Sequence, residues 1–463
     1  MAPDAPIGRS SRSRPRRLAP LGVILLAGIL ATCSSTDTVT PPGTSSFGGT
    51  GQSSQPAQAT HHGPSQLPST LPGVTLPPGP TPSGLLPSQD PAASPPSPDV
   101  GGLDAGTRAA LQAIIDDARR RNNVPAISVA VLLSDGRSWV GVSGNRQLSP
   151  VKAADGQTEF AIASITKTFV TAVIMQLVDE GKLSLDDHLD TWLPNFPHAA
   201  SITIRELLGH TGGVYNYFEN PRYNNLVFNR RSHRWTFNEI INLVRGPYCA
   251  AGGCYHYSNT DFVLAGRVAE LVTGKSISTL IRNRLLDPLG LNHTAFQPYE
   301  PTSADKAHAY LYSTDWTRNS PVLPMMSAAT VAWSAGAMVS TPTDLARWAT
   351  LLYTGKVVPQ PLLDQMLSVR KCHDNYGLGT RWMVINGRAV DGHLGSLRGY
   401  NDAMWYFPRE GAAIALLSNQ GAWSPDATIR HLSTTLFNRI GAPAPQYDPS
   451  RNTQIHDSQT LYC

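Results

Sequence analysis

Between Ser34 and about Gly102 the chain is dominated by Pro, Ser, Gly and Thr, which fill about two-thirds of the positions, with Pro78, Pro80, Pro82, Pro95 and Pro96 as examples. Such a stretch holds almost nothing apolar to bury and reads as a stiff disordered tether, so every core the chain can build must come from residues beyond Gly102. The sequence thus divides into a leader over 1–32, the tether over 33–102, a folded domain over 103–440 and a tail over 441–463.

The leader carries Arg9, Arg12, Arg14, Arg16 and Arg17 ahead of an apolar run from Leu18 to Ala31. That run is shorter than the roughly 18 residues of a membrane span and has the layout of an export signal. It ends in Leu30, Ala31, Thr32 and Cys33, which resembles the lipobox of bacterial lipoproteins. The resemblance implies that Cys33 is acylated and anchors an extracytoplasmic protein to the cell membrane. Thr32 departs from the usual Gly, Ala or Ser, which leaves secretion without a lipid as the alternative, and Arg16 with Arg17 makes only a weak twin-arginine match.

The formal charge of +4 has its source in the leader, whose five Arg and single Asp account for all of it. The remainder is close to neutral, which removes the electrostatic reason to expect nucleic acid as a partner. Five cysteines in an exported chain invite pairing. With Cys33 set aside, Cys249 and Cys254 flank a small flexible loop, Ala250 to Gly253, and Cys372 with Cys463 would pin the tail. No His or Cys pair has the spacing of a zinc site, and no metal or organic cofactor is expected.

Apolar periodicity predicts a helix from Leu103 to Asn122, then strands at Ala126 to Leu133 and Ser138 to Val142 joined through Ser134, Asp135 and Gly136. The middle is helical in period, with segments Ser164 to Glu180, Thr203 to Leu208, Thr236 to Val244 and Asp261 to Val272. Strand patterns return at Tyr376 to Ile385, Ala389 to Gly395, Asn401 to Phe407 and Ala412 to Ser418, with turns at Asn386–Gly387 and at Arg409 to Gly411. A helix from Asp426 to Ile440 comes last. The fold class is therefore α+β, an α/β sandwich: one antiparallel sheet built from both ends of the domain, flanked by helices, plus a largely helical lobe, with a cleft between them.

Three short motifs carry chemistry. In F-A-I-A-S-I-T-K-T, Lys167 stands one helical turn after Ser164, where an amine of lowered pKa can take the proton of a weak hydroxyl nucleophile. Alone, such a pair is more often a helix start beside a solvated lysine. Tyr257, Ser258 and Asn259 occur in C-Y-H-Y-S-N-T-D-F, and His393, Leu394 and Gly395 in D-G-H-L-G-S-L-R-G-Y. Taken singly these are a buried aromatic before a helix and a strand histidine.

Together, and in this order, they resemble the S-x-x-K, Y-x-N and H-x-G motifs of the serine β-lactamases, penicillin-binding proteins and related esterases. The likeness runs from about Gly102 to Ile440 and includes V-D-E-G-K-L-S-L-D-D, I-T-I-R-E-L-L-G-H-T-G-G and A-G-A-M-V-S-T-P-T-D-L. These stretches look most like actinomycete D-Ala-D-Ala carboxypeptidases and class C β-lactamases.

The resemblance implies the β-lactamase and DD-peptidase fold, with Ser164 as nucleophile, Lys167 as its base and Tyr257 as second proton carrier. It further implies that Asn259 holds the substrate amide and that the backbone N–H groups of Ser164 and Ser396 form the oxyanion hole. His393 replaces the usual Lys, and at a reference pKa of about 6.5 would make activity sensitive to pH below neutrality. Arg381, after Tyr376 to Gly379, is expected to bind a substrate carboxylate, and Trp333 to line the pocket or fill core, whereas His210 is read as structural. Leu394 stands where carboxylate-binding members carry Thr, with Ser396 as a substitute hydroxyl.

The expected activity is that of a serine-type D-Ala-D-Ala carboxypeptidase or related peptidase on cell-wall peptidoglycan, the substrate being a peptide, ester or β-lactam. An esterase or class C-like β-lactamase shares the chemistry, and a non-catalytic muropeptide-binding protein is the alternative of another class. A monomer is expected.

Overall fold

The structure, a computed structural model, describes residues 102–312, 319–322, 326–368 and 375–445. The leader with Cys33, the tether, Cys372 and Cys463 lie outside the described residues.

Seven antiparallel strands form the main sheet: β1 Ala126–Leu133, β2 Ser138–Leu148, β3 Val151–Ala153, β4 Arg381–Ile385, β5 Arg388–Leu397, β6 Tyr400–Phe407 and β7 Ala412–Ser418, in the order β3-β2-β1-β7-β6-β5-β4. The two ends of the domain meet in the middle, where β1 pairs with β7 from Ile127↔Ser418 to Leu133↔Ala412.

These central strands are apolar nearly throughout because both faces are covered. On β1, Ile127, Val129 and Val131 enter one core and Ala126 and Ala130 the other, and on β7 Ile414 and Leu416 alternate with Ala413, Ala415 and Leu417. The side chains sort by the period of two that a pleated strand imposes. One face is closed by helices α1 (Ala105–Arg121) and α5 (Asp426–Arg439), which supply Leu111, Ile115, Leu432 and Phe437. Large aliphatics buried in this way contribute about 1.5–3 kcal/mol each.

The other face bears the helical lobe, built on α2 (Thr166–Asp179), α3 (Asn259–Thr273) and α4 (Pro342–Tyr353). Short helices at Ile204–Leu208 and Phe237–Ile241 start at capping boxes, Thr203 with Glu206 and Thr236 with Glu239, so both begin one residue later than their periodicity indicates. A small sheet of Phe160–Ala161, Met338–Ser340 and Ala295–Phe296 ties the segment before α2 to the segment before α4.

Two expectations are corrected. The strand expected from Tyr376 begins only at Arg381: Gly379 turns the chain at φ 66°, Gly377 N–H donates to Thr380 O at 2.9 Å, and Gly379 N–H to Leu208 O at 2.9 Å. A Cβ on Gly379 would fall 1.9 Å from Thr171 Oγ1, so only glycine lets this turn press onto α2. The hairpin strand expected to stop at Val142 runs on to Leu148, where it pairs with Val151. The helices at Met326–Ala332, Pro342–Tyr353 and Gln360–Leu367 fall outside the segments expected to be helical, although Thr341 as cap and Pro342 in the first turn signal the second.

Cys249 and Cys254 form a disulfide with their Cα atoms 6.2 Å apart. It closes a loop that runs along the H-T-G-G segment: Tyr248 N–H donates to Gly213 O, Gly252 N–H to Thr211 O and His256 N–H to His210 O, all at 2.8–2.9 Å. A ring this short constrains the unfolded chain by about 2 kcal/mol in the loop-entropy picture. Replacing both cysteines by Ser is expected to lower unfolding free energy by about that amount, measured by denaturant titration, with parent and variant compared under the same non-reducing conditions. No described helix is long and apolar enough to cross a membrane.

Candidate active site

The small sheet fixes the nucleophile. Phe160 and Ala161 pair with Ser340 and Val339, Ile162 N–H donates to Met338 O at 3.0 Å, and Ala163 then adopts φ 45°, a left-handed conformation unusual for a residue with a Cβ. That bend opens a short 3-10 turn, Ala163–Ile165, leading into α2 and leaves Ser164 half-buried while its neighbours are closed off. On the sheet side, a Cβ at Gly395 would lie 2.4 Å from Ile162 O, so the H-L-G strand can approach the nucleophile's segment only with glycine there.

Lys167 points back along the first turn of α2 and is fully buried. Its Nζ lies 3.1 Å from Ser164 Oγ, 2.8 Å from Asn259 Oδ1 and 2.7 Å from Ala335 O. Burial pushes its pKa well below 10.5, with Arg381 acting in the same direction and Asp261 against it. A neutral amine has two N–H groups and one lone pair. The amide oxygen and the carbonyl are acceptors only, so they take the two N–H groups and the lone pair faces the serine hydroxyl. This is the arrangement a general base requires.

Tyr257 closes the other side. Lys167 Nζ is 5.0 Å from its ring centroid, and its hydroxyl reaches Ser164; burial pushes its pKa up to about 12 although that contact acts in the opposite direction. At neutral pH the phenol keeps its proton and is equipped to give it. Asn259 opens α3 with its Oδ1 on Lys167, while its backbone N–H and Nδ2 face Asn216 Oδ1 at 3.2 and 3.4 Å. Its visible work is therefore to hold the base.

His393 is also buried, and its two nitrogens are both committed. Nδ1 lies 2.6 Å from Leu394 O, which only accepts, so this nitrogen carries the hydrogen, and Nε2, 2.9 Å from Tyr376 Oη, accepts from that phenol. Burial, then Arg381 and Lys167, hold its pKa well below 6.5. The pH response expected of a histidine titrating near its ordinary value is thereby displaced to lower pH.

One pocket is lined by Ser164, Tyr257, Asn259, Arg381, His393 and Ser396, joined by Phe218, Ala335 and Leu394. Arg381 is half-buried, with its guanidinium 5.6 Å from the ring of Tyr257 and 5.4 Å from that of Tyr376, and no carboxylate is found among the described residues of this lining. Ser396 is exposed on β5 opposite Asn401. Of the two readings of Trp333, the structure corrects the first and bears out the second: it is absent from this pocket's lining and packs in the core of the helical lobe, where it edges a separate recess with Arg234, Phe237 and Tyr299, its ring 6.3 Å from that of Phe237. Three participants escape sequence reasoning. Ala335 acts through a backbone carbonyl, Asn216 sits in a loop without a motif, and Phe218 reads as an ordinary core aromatic.

Known proteins share this fold. The family model described as Beta-lactamase matches residues 111–437. Penicillin-binding protein 4 of Amycolatopsis lactamdurans is 28% identical over 332 residues, covering 66% of this chain and 84% of that protein. Protein flp of Staphylococcus aureus is 22% identical over 342 residues, 71% of this chain, and the chain spans 66% of the length of that relative. Among solved structures, a D-stereospecific amidohydrolase from Streptomyces sp. superposes with a TM-score of 0.63 at 28% identity, covering 72% of this chain and 99% of that one. The D-amino acid amidase of Ochrobactrum anthropi SV3 superposes with a TM-score of 0.66 at 26% identity, covering 73% and 100%. With most of the folded domain matched and S-x-x-K, Y-x-N and H-x-G gathered round one pocket, the chain belongs to the Beta-lactamase family of serine hydrolases.

Proposed function

We propose that the protein is an extracytoplasmic serine hydrolase that acts through an acyl-enzyme on Ser164 and removes the last residue of cell-wall peptides ending in a free carboxylate, as a D-Ala-D-Ala carboxypeptidase does. The observation that carries the chemistry is Lys167, buried, with Nζ 2.8 Å from Asn259 Oδ1, 2.7 Å from Ala335 O and 3.1 Å from Ser164 Oγ, so that in the neutral amine the two acceptors take the N–H groups and the lone pair faces the serine. The serine proton passes to Lys167 as Oγ bonds to the scissile carbonyl carbon. Negative charge on the carbonyl oxygen is met by the backbone N–H groups of Ser164 and Ser396, donors of a kind that contributes about 3 to 4 kcal/mol each.

Tyr257 then protonates the leaving amine as the C–N bond breaks and recovers its proton from Lys167. In the second half the same pair takes a proton from water, whose oxygen attacks the ester, and Ser164 regains its hydrogen on release of the acid. The membrane anchor on Cys33 and the tether would place this domain beside peptidoglycan.

The choice of a carboxylate-ended peptide is supported by Arg381, the cationic member of a lining that holds no acid among its described residues. A guanidinium fork pairs with a carboxylate at two points, and losing such charged hydrogen bonds costs about 1.5–3 kcal/mol. Arg381→Ala is therefore expected to raise KM for an acylated tripeptide ending in D-Ala-D-Ala by about 10- to 100-fold, while short-ester hydrolysis stays within about twofold. Equal losses on both substrates would detach Arg381 from specificity.

A second reading, hydrolysis of D-amino acid amides, is favoured by Leu394, which withholds the hydroxyl expected beside a carboxylate, and by the names of the two solved relatives. Hydrolysis of D-phenylalanine amide with the D-Ala-D-Ala peptide left intact would select it.

A further inference from the structure

Behind the pocket, the mechanism leaves unused a second buried pair, His210 with Asp261, 0% and 1% exposed. We propose that the carboxyl of Asp261 is protonated and donates to His210 Nδ1, and that this neutral pair is a positioning device for Tyr257 and Asn259 that leaves Lys167 without a counter-ion. The inference rests on Lys167 being the base of the proposed serine mechanism.

Two groups approach His210 Nδ1: Asp261 Oδ2 at 2.8 Å and the backbone N of Ser258 at 3.2 Å. The Ser258 amide is a donor only, and Nδ1 is its acceptor among the described residues. A ring nitrogen that accepts carries no hydrogen, so the hydrogen in the 2.8 Å contact comes from Asp261 and shares the single lone pair of Nδ1 with the longer contact from the Ser258 N–H. The opposite assignment, Nδ1–H to a carboxylate, aims the Ser258 N–H at another N–H inside the core, where an unpaired donor costs about 1–3 kcal/mol.

Asp261 Oδ1 has no partner, which a carbonyl oxygen tolerates far better than an ionised carboxylate. His210 Nε2 also lacks a hydrogen-bond partner under either assignment, so it does not decide between them. The electrostatics point the same way. Burial raises Asp261, with Lys167 opposing, and burial lowers His210, reinforced by Lys167, His393, Arg381 and His256.

The placement explains the function. The His210 ring lies 4.3 Å from that of Tyr257, 4.7 Å from that of Tyr376 and 5.3 Å from that of Phe262. Its carbonyl accepts from His256 N–H, one residue before Tyr257, and its ring from Ser258 N–H, one residue after. Asp261 sits in the first turn of α3, two residues beyond Asn259. One imidazole thus brackets the proton-carrying tyrosine, and one carboxyl locks that imidazole to the helix bearing Asn259. Were Asp261 ionised, its charge would favour the ammonium form of Lys167 against the burial that lowers it, and the third N–H of an ammonium would occupy the direction from which Ser164 is deprotonated.

The test uses the full chain. Nitrogen-15 NMR of histidine-labelled protein, with the His210 signals assigned by their loss in His210→Gln, is expected to show Nδ1 without a hydrogen and Nε2 with one. A hydrogen on Nδ1 overturns the proposal, and this readout needs neither turnover nor, if the variant fails to fold, more than selective labelling of the parent. Asp261→Ala is expected to lower kcat for a short ester about 10-fold or more with KM within about twofold, and Asp261→Asn, whose N–H replaces the O–H, to recover most of that loss. The acid limb of the kcat/KM profile should coincide in Asp261→Asn and the parent. A limb displaced downward by about a unit or more in Asp261→Asn means that an anion was removed and also overturns the proposal. Failure of the serine mechanism itself has a separate signature, the absence of any acyl adduct on the parent enzyme.

Discussion

Ser164→Ala is expected to abolish covalent labelling by benzylpenicillin and to lower kcat/KM on any ester or peptide substrate by about 10^5- to 10^6-fold, the scale seen when a serine hydrolase loses its nucleophile. The reason is local. Ser164 Oγ is the atom that Lys167 Nζ approaches at 3.1 Å and that the Tyr257 hydroxyl reaches, and Ala offers neither an oxygen to acylate nor one to bridge the two carriers. The fold should be indifferent. Ser164 is half-buried, its hydroxyl caps nothing, and the bend that exposes it resides at Ala163, so thermal stability should shift by no more than about 0.5 kcal/mol. Intact-protein mass spectrometry reads the adduct directly. A parent protein that acquires the penicilloyl mass and a variant that does not would establish the acyl-enzyme. An adduct surviving in Ser164→Ala would move the nucleophile elsewhere and remove the proposed mechanism.

How much of this can be read from residues alone depends on whether the signal is periodic. The sheet is legible because β1 and β7 bury both faces, and their apolar runs are bounded by Ser134–Gly136 and Arg409–Gly411, turns that mark strand ends without reference to tertiary structure. The Tyr376 to Gly379 segment passes for strand because its aromatic and aliphatic residues fit an extended pattern, whereas its conformation is decided by packing onto α2 at Gly379. Within the site, residues that act through short motifs fall together round one pocket.

Groups that act through position do not announce themselves. Nothing in the identity of Ala335 signals that its carbonyl will occupy one N–H of Lys167, and nothing near Trp333 signals that it faces the neighbouring recess. The protonation states are equally hidden. His393 looks like a titrating histidine until its burial and its bonds to Leu394 and Tyr376 are known, and Asp261 like a helix-start acid until it proves to be 1% exposed.

The second large effect is expected at Lys167, where a single substitution separates the chemistry from the architecture. Lys167→Met fills nearly the same volume and removes the base, so acylation should slow by about 10^2- to 10^4-fold, the usual contribution of a positioned general base. The stability of the same variant reports the charge state of the lysine. Unfolded, Lys167 binds a proton below its ordinary pKa of 10.5; folded, it does so only at a much lower pH because burial disfavours the ammonium. Between those limits the unfolded chain holds more protons, so the parent must gain stability as pH rises, by up to about 1.4 kcal/mol per unit, and lose it as pH falls toward the folded value. Met lacks that slope. It also leaves Asn259 Oδ1 and Ala335 O without their donor, but that deficit does not vary with pH and appears as a constant offset. Melting temperatures measured from about pH 7 to pH 10 should therefore diverge, with the parent improving relative to Lys167→Met toward alkaline pH. Curves that stay parallel would mean that Lys167 remains an ammonium in the folded protein, and a slow acylation in Lys167→Met would then have to be explained by a lost cation rather than a lost base.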